Sequence, residues 1–199
     1  MTWKMKKTWN LSYPEIIADN MTDSNRITLR NKRLSDARND YDWQRDHELA
    51  RLDATTPISC SFEEYLTDYT DELQYPSPFR RSFAIVTHDG KHIGNCVYYN
   101  INETKGETEL GIMIGDRHYW DKGYGTDVVS TLIGHIFRRT QLNRIYLKTL
   151  TTNSRAHRCF RKCNLKPCGY LERDGYKFLL MEIYRTEWQE QQSKTSSNP

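Results

Sequence analysis

Apolar and polar positions along this chain change period several times, and each change predicts an element. Residues 26–30 alternate around Ile27 and Leu29 and predict a first strand. Ser35 and Asp36 open a helical stretch through Tyr41 and Trp43 toward Leu52, so one helix is expected there, with Ser35 as its cap. Thr56 and Pro57 break that pattern. Ser61 followed three residues later by Glu64 is a capping box, which predicts a helix to about Leu73, ended by Pro76 and Pro78. The pattern then turns to β: residues 83–87, a turn at Asp89 and Gly90, residues 93–101, a polar turn, and residues 107–114. Val128, Val129, Leu132, Ile133, Ile136 and Phe137 form a single helical stripe. A strand over 144–150, a helix over 153–163 stopped by Asn164, and two strands over 168–172 and 176–184 complete the order. Strands first grouped and then interleaved with helices indicate an α+β, mixed-sheet domain over residues 26–190. Residues 1–25, which show no period, are expected to be an N-terminal extension, and the polar residues 191–199 a disordered tail.

Composition narrows the class. The chain has 199 residues, 37% hydrophobic and 28% charged, enough for one domain with a real core. No apolar run reaches the length of a membrane span, so no membrane partner is expected. The basic first residues lack an apolar stretch behind them, and the five cysteines are odd in number and irregularly spaced. Both point to a reducing, cytoplasmic setting without a disulfide framework. The net charge of +3 names no partner by itself. Its distribution says more: residues 35–72 hold eleven acidic and three basic side chains, and residues 116–173 twelve basic and four acidic. One half suits a cation and the other an anion. Solvated helix faces would give the same count.

The residues most charged with chemistry are Trp120, Asp121, Lys122, Gly123, Tyr124, Gly125 and Thr126, between a strand and the amphipathic helix. Glycines there let successive N–H groups face outward at a helix start, where an anion is held with help from the helix dipole, and Lys122 adds charge. The Walker pattern is absent, and the dinucleotide fingerprint fails at Val128. A tight turn with no ligand would use the same glycines. His157, Cys159, Cys163 and Cys168 lack the paired spacing of a zinc site, so no metal is expected. No recognised nucleic-acid module is present, which makes nucleic acid an unlikely partner class.

The ordered series of motifs resembles the GNAT superfamily of acyl-CoA-dependent N-acetyltransferases, and within it the RimJ/RimL-like group. The matching text is ELGIMIGDRHYWDKGYGTD over 109–127, LNRIYL over 142–147, NSRAHRCFRK over 153–162, then DGY over 174–176, Met181, Glu187 and Trp188. At the front, ITLR over 27–30 with Asp36 and Ala37 fits the group's opening strand and helix. The resemblance implies a mostly antiparallel mixed sheet, splayed so that acetyl-CoA wedges between strands 109–114 and 144–150. It implies main-chain contacts from Met113 and Ile114, a pyrophosphate on the 120–126 turn, Asn153 on the CoA arm, and Arg155 among the cations for the terminal phosphate. Glu109 is the candidate general base. Phe160 stands where the family's usual general acid is a tyrosine, and phenylalanine cannot donate a proton. Tyr124 or Cys159 are candidate substitutes, and a CoA-binding sensor without turnover is the alternative. The first helices border the acceptor side in this fold. Tyr41, Asp42, Trp43, Asp46, Glu63 and Glu64 are therefore the expected wall for an amine acceptor such as a polyamine, another small cationic amine or a protein N-terminus. An open sheet with an exposed last strand is compatible with a homodimer.

Overall fold

A computed structural model describes residues 26–196. The expected extension, residues 1–25, lies outside the described residues. Seven strands form one sheet in the order β1-β2-β3-β4-β5-β7-β6. They are β1 (Ile27–Asn31), β2 (Arg80–Thr87), β3 (His92–Asn102), β4 (Glu107–Ile114), β5 (Arg144–Leu150), β6 (Lys166–Arg173) and β7 (Tyr176–Tyr184). Every neighbouring pair is antiparallel except β4 with β5, which is parallel. This is the expected mostly antiparallel mixed sheet.

Among the described residues six helices flank it: α1 (Ala37–Arg45), α2 (His47–Leu52), α3 (Phe62–Gln74), α4 (Tyr124–Arg139), α5 (Ser154–Lys162) and α6 (Arg185–Ser196). The apolar stripe of α4 is fully buried against the sheet: Val128, Val129, Leu132, Ile133, Ile136 and Phe137 are at most 2% exposed. They meet Ile27, Leu29, Ile85, Ile145 and Met181 in one core. Burying each such side chain contributes about 1.5–3 kcal/mol, so this helix is the main anchor of the sheet's face.

Three expectations change. The single helix over 35–52 is two. The carboxylate of Asp46 accepts from the N–H groups of Glu48 and Leu49, starting α2 while the backbone of Asp46 is extended. Ser35 is not a cap; it lies in a short 3-10 turn whose Asp36 side chain folds back onto the Arg33 N–H. Finally, residues 191–196 continue α6 rather than form a disordered tail. Glu187 fixes the helix start, accepting from the Tyr184 N–H at 3.1 Å and from Lys166, and Trp188 packs on Phe137. Residues 197–199 lie outside the described residues.

Part of the acidic patch is internal. Asp36 forms a two-bonded pair with Arg30 at 2.7 Å, and Asp40 pairs with Lys32 and Asn95. These two carboxylates are 2–3% exposed. They hold α1 to β1 and β3 and contribute no free negative charge to the surface.

Candidate active site

The site arises from a mismatch in the sheet. Strands β4 and β5 pair only over Glu107–Arg144, Thr108–Ile145 and Glu109–Tyr146. Beyond those residues β4 stays paired with β3 to Ile114, and β5 stays paired with β7 to Leu150. The two strands therefore diverge, and a cleft of about 460 Å³ opens between them. Leu110, Met113 and Ile114 line one side, Lys148, Thr149 and Leu150 the other.

One end of the cleft is the 120–126 turn. Asp121 and Gly123 have positive φ of 56° and 86°. Gly123 caps α4, and the first intrahelical bonds run from the N–H groups of Thr126 and Asp127 to its carbonyl. The N–H groups of Gly123, Tyr124 and Gly125 precede those bonds, as at any helix start. A sixteen-residue helix dipole adds positive potential there. Arg26 pins the turn from outside, donating to the Lys122 carbonyl and pairing with Asp127 at 2.6 Å.

The cleft takes in most of the expected cosubstrate residues: Met113, Ile114, Trp120, Asp121, Gly123, Gly125, Thr126, Asn153 and Arg155 all line it. Lys122 and Tyr124 do not. The Tyr124 ring packs edge-on against Tyr119 at 5.0 Å. Trp120 donates its indole N–H to the Ile114 carbonyl at 2.7 Å, which engages one of the two main-chain groups expected to serve a ligand. Its ring lies under the Arg155 guanidinium at 3.5 Å, with Arg117 also within cation–π range at 5.4 Å. Arg117 in turn bonds Asp46 and Glu48 of α2. The Arg117 hydrogen bond holds the Asp46 carboxyl below its usual range, against the opposing effect of burial. A chain of contacts thus ties α2 to the turn. Asn153 caps α5 through the Ala156 N–H at 3.1 Å.

Glu109 sits where β4 and β5 part, yet it does not face the cleft. It is 4% exposed. Its carboxylate accepts from the Tyr99 hydroxyl at 2.6 Å and from Asn100 at 3.1 Å, and pairs with Lys148 at 2.8 Å. Phe160 is 6% exposed, belongs to the core and forms part of the cleft wall. Of the two candidate substitute donors, Cys159 lines the cleft and Tyr124 does not. The Cys163 thiol donates to the Thr126 carbonyl, and its proximity lowers the Cys159 pKa against the effect of burial.

The expected acceptor wall lies elsewhere. None of Tyr41, Asp42, Trp43, Asp46, Glu63 and Glu64 lines the cleft. Tyr41 is buried against Phe62 and Tyr65 and donates to the Cys60 carbonyl. Trp43 packs on Gly115 and His92. Asp42 pairs with Arg38 in solvent. Asp46 and Glu64 serve helix starts, and Glu63 lies in the first turn of α3. Helix capping and aromatic packing account for these residues, and composition alone does not separate those uses from ligand binding. The cleft instead takes Leu49, Leu52 and Asp53 from α2 and its end, Tyr99 from β3 and Lys148 from β5. Only the alternation of Arg144, Tyr146 and Lys148 on one strand face hinted at any of them.

Among the described residues no group of three or more His, Cys, Asp or Glu is arranged to hold a metal ion, and no helix is long and apolar enough to cross a membrane.

The sequence profile described as the acetyltransferase (GNAT) domain matches residues 26–166. A curated relative, the uncharacterized N-acetyltransferase p20 of Bacillus licheniformis, is 27% identical over 161 residues, covering 80% of this chain and 90% of that protein. Among solved structures, spermidine N-acetyltransferase from Vibrio cholerae, in complex with CoA and spermine, superposes with a TM-score of 0.75 at 19% identity. It covers 83% of this chain and 99% of its own. An aminoglycoside acetyltransferase in complex with coenzyme A gives 0.68 at 19% identity, over 82% and 98%. The chain belongs to the GNAT acetyltransferase family.

Proposed function

We propose that this GNAT-family chain transfers the acetyl group of acetyl-CoA to a primary amine by direct attack of the amine on the thioester carbon, with no acyl-enzyme. One observation carries the reading. The β4–β5 pairing stops after Glu109 and Tyr146, and the cleft so formed ends on the N-terminus of α4. Such a cleft holds an anionic group at the helix end and an extended arm along an unpaired strand. The reacting carbonyl then falls near the parting of the strands, where positioning supplies most of the acceleration.

Met113, Trp120, Gly123, Gly125, Thr126, Asn153 and Arg155 are proposed to hold the cosubstrate. Cations Arg155, Arg158 and Lys162 around the same mouth support this. The motif series also supports a place in the RimJ/RimL-like group. The acceptor class we favour is a small cationic amine, with polyamines first, because a structural neighbour carries spermine beside CoA. Exposed Tyr170 and Leu171 on the edge strand β6 support a homodimer, and five free cysteines support a reducing, cytoplasmic compartment.

The test is acetyl transfer across a panel of spermidine, amino sugars, aminoglycosides and peptides with free N-termini, read by CoA release and product mass. Amine-dependent product establishes the reading and names the acceptor class. Acetyl-CoA binding without product from any amine would replace it with the sensor reading, to which the buried phenylalanine at 160 would then belong.

A further inference from the structure

Glu109 and Asp53 are both close to Lys148, and their surroundings differ. The Glu109 carboxylate is an acceptor already served by three donors, two of which, Tyr99 and Lys148, line the cleft while Glu109 does not. Taking a proton there would break a charge-assisted pair inside the protein, which is costly. Asp53, at the C-terminal end of α2, has its backbone N–H bonded to the Leu49 carbonyl and its side chain open to the cleft. Among the described residues, none hydrogen-bonds to or ion-pairs with its carboxylate. The other acidic residue lining the cleft, Asp121, sits on the cosubstrate turn and pairs with Arg158. At the acceptor end a single unpaired carboxylate therefore faces the space beside the point where β4 and β5 part.

We infer that Asp53, rather than Glu109, receives the attacking amine and takes its proton, and that Glu109 is a positioning residue that holds Lys148 and Tyr99. This rests on the transfer reading above. The acceptor ammonium pairs with Asp53 and gives it one proton. The freed lone pair forms the C–N bond as the C–S bond breaks, and the electron pair leaves on the CoA sulfur. The second nitrogen proton passes to cleft water, and the thiolate is protonated from solvent. Leu49 and Leu52 are neighbours on the same wall, and Asp53 itself is open to solvent, which can carry the protons away.

The electrostatics agree. Protein surrounding the cleft raises the Asp53 carboxyl pKa above its ordinary value, and Lys148 of β5 works against that rise. The other groups facing it are Tyr99 of β3, whose own pKa is raised first by burial, then by Glu109 and in part by Asp53, and Glu109 of β4 behind them. A raised carboxyl lies closer to the pKa of its proton donor and makes a better base.

The experiment compares the full-length parent with Asp53→Asn, Asp53→Glu and Glu109→Gln. Each is measured for kcat/KM toward the best amine of the panel from pH 5 to 9 and for acetyl-CoA affinity by calorimetry. For Asp53→Asn a loss of about 100-fold or more in kcat/KM is expected. Its acetyl-CoA affinity should stay within about 3-fold, and the acid limb of the pH profile should be gone. Asp53→Glu should recover part of the rate together with that limb. Glu109→Gln should keep the limb. Asp53→Asn within about 3-fold of the parent, or an acid limb that vanishes in Glu109→Gln instead, would overturn the assignment while transfer itself stands. A parent that binds acetyl-CoA and acetylates no amine would overturn it through the transfer reading, an outcome told apart by the parent's own silence.

Discussion

Gly115→Ala is a one-carbon test of how α1 sets the end of β4. A Cβ at Gly115 would lie 2.1 Å from Cδ2 and 2.3 Å from Cε2 of Trp43. Carbon atoms rest at about 3.5–4.0 Å, so the indole must retreat by roughly 1.5 Å. Inward movement is blocked, because the ring stands edge-on against His92 at 4.9 Å, and His92 is itself bonded to the Gly94 carbonyl at 2.9 Å. The half-buried ring can only swing outward and lose contact, or the backbone at 114–116 must shift. Overpacking of this kind costs about 1–3 kcal/mol. For a domain of this size each kcal/mol lowers Tm by about 2–4 °C, so a loss near 2 kcal/mol gives about 4–8 °C. Thermal and urea denaturation of the parent, Gly115→Ala, Trp43→Ala and the double variant would measure it. With the indole gone the added methyl should cost less than about 0.5 kcal/mol, a coupling of roughly 1.5 kcal/mol. A Gly115→Ala protein as stable as its parent, or an equal cost in both backgrounds, would refute the steric reasoning.

Gly125→Trp should abolish acetyl-CoA binding at calorimetric concentrations with the circular dichroism spectrum unchanged. Its Cβ would already touch Cys159 Sγ at 3.3 Å, so the indole must occupy the cleft. Phe160→Tyr should raise kcat, by up to about 10-fold, with KM for acetyl-CoA little changed, since a hydroxyl would enter the cleft wall and thiolate leaves readily without full protonation. An unchanged kcat would show that proton donation at that position does not limit turnover. Burial works to raise the Asp116 carboxyl, but Lys91 and His118 prevail and hold it at about 2. A depressed carboxyl stabilises the fold above its unfolded pKa and loses that contribution as pH falls through the folded value. The stability gap between the parent and Asp116→Asn should therefore be full near pH 5 and close by about pH 2, as read by urea titration at each pH.

Much of this architecture was legible because local rules agreed with the global fold. Glu107–Ile114, Arg144–Leu150 and Tyr176–Tyr184 alternate or cluster β-formers between turn residues, and their observed bounds match the pattern. Asn164 takes the left-handed conformation, with φ 63°, that stops α5. Ser61 and Glu64 make the reciprocal capping bonds that their spacing predicts. What was not legible depends on partners distant in sequence. The break at Asp46 is a capping event inside a stretch that reads as one helix. The residue that pairs with this carboxylate is Arg117, seventy-one positions away. Glu109 reads as a free strand-end carboxylate until β3 and β5 bring Tyr99 and Lys148 to it. Asp53 carries no motif at all, because its exposure to the cleft follows from where α2 ends relative to the parting strands.

The divergence of β4 from β5 leaves residues 110–114 as an edge inside a sheet. Outer edges of β-sheets recruit strands from other chains and are a route to aggregation. This interior edge faces β5 across the cleft, with residues of α4 and α5 lining its end, and Trp120 already occupies its last carbonyl, that of Ile114. It is flanked by the chain's own elements, as an outer edge is not.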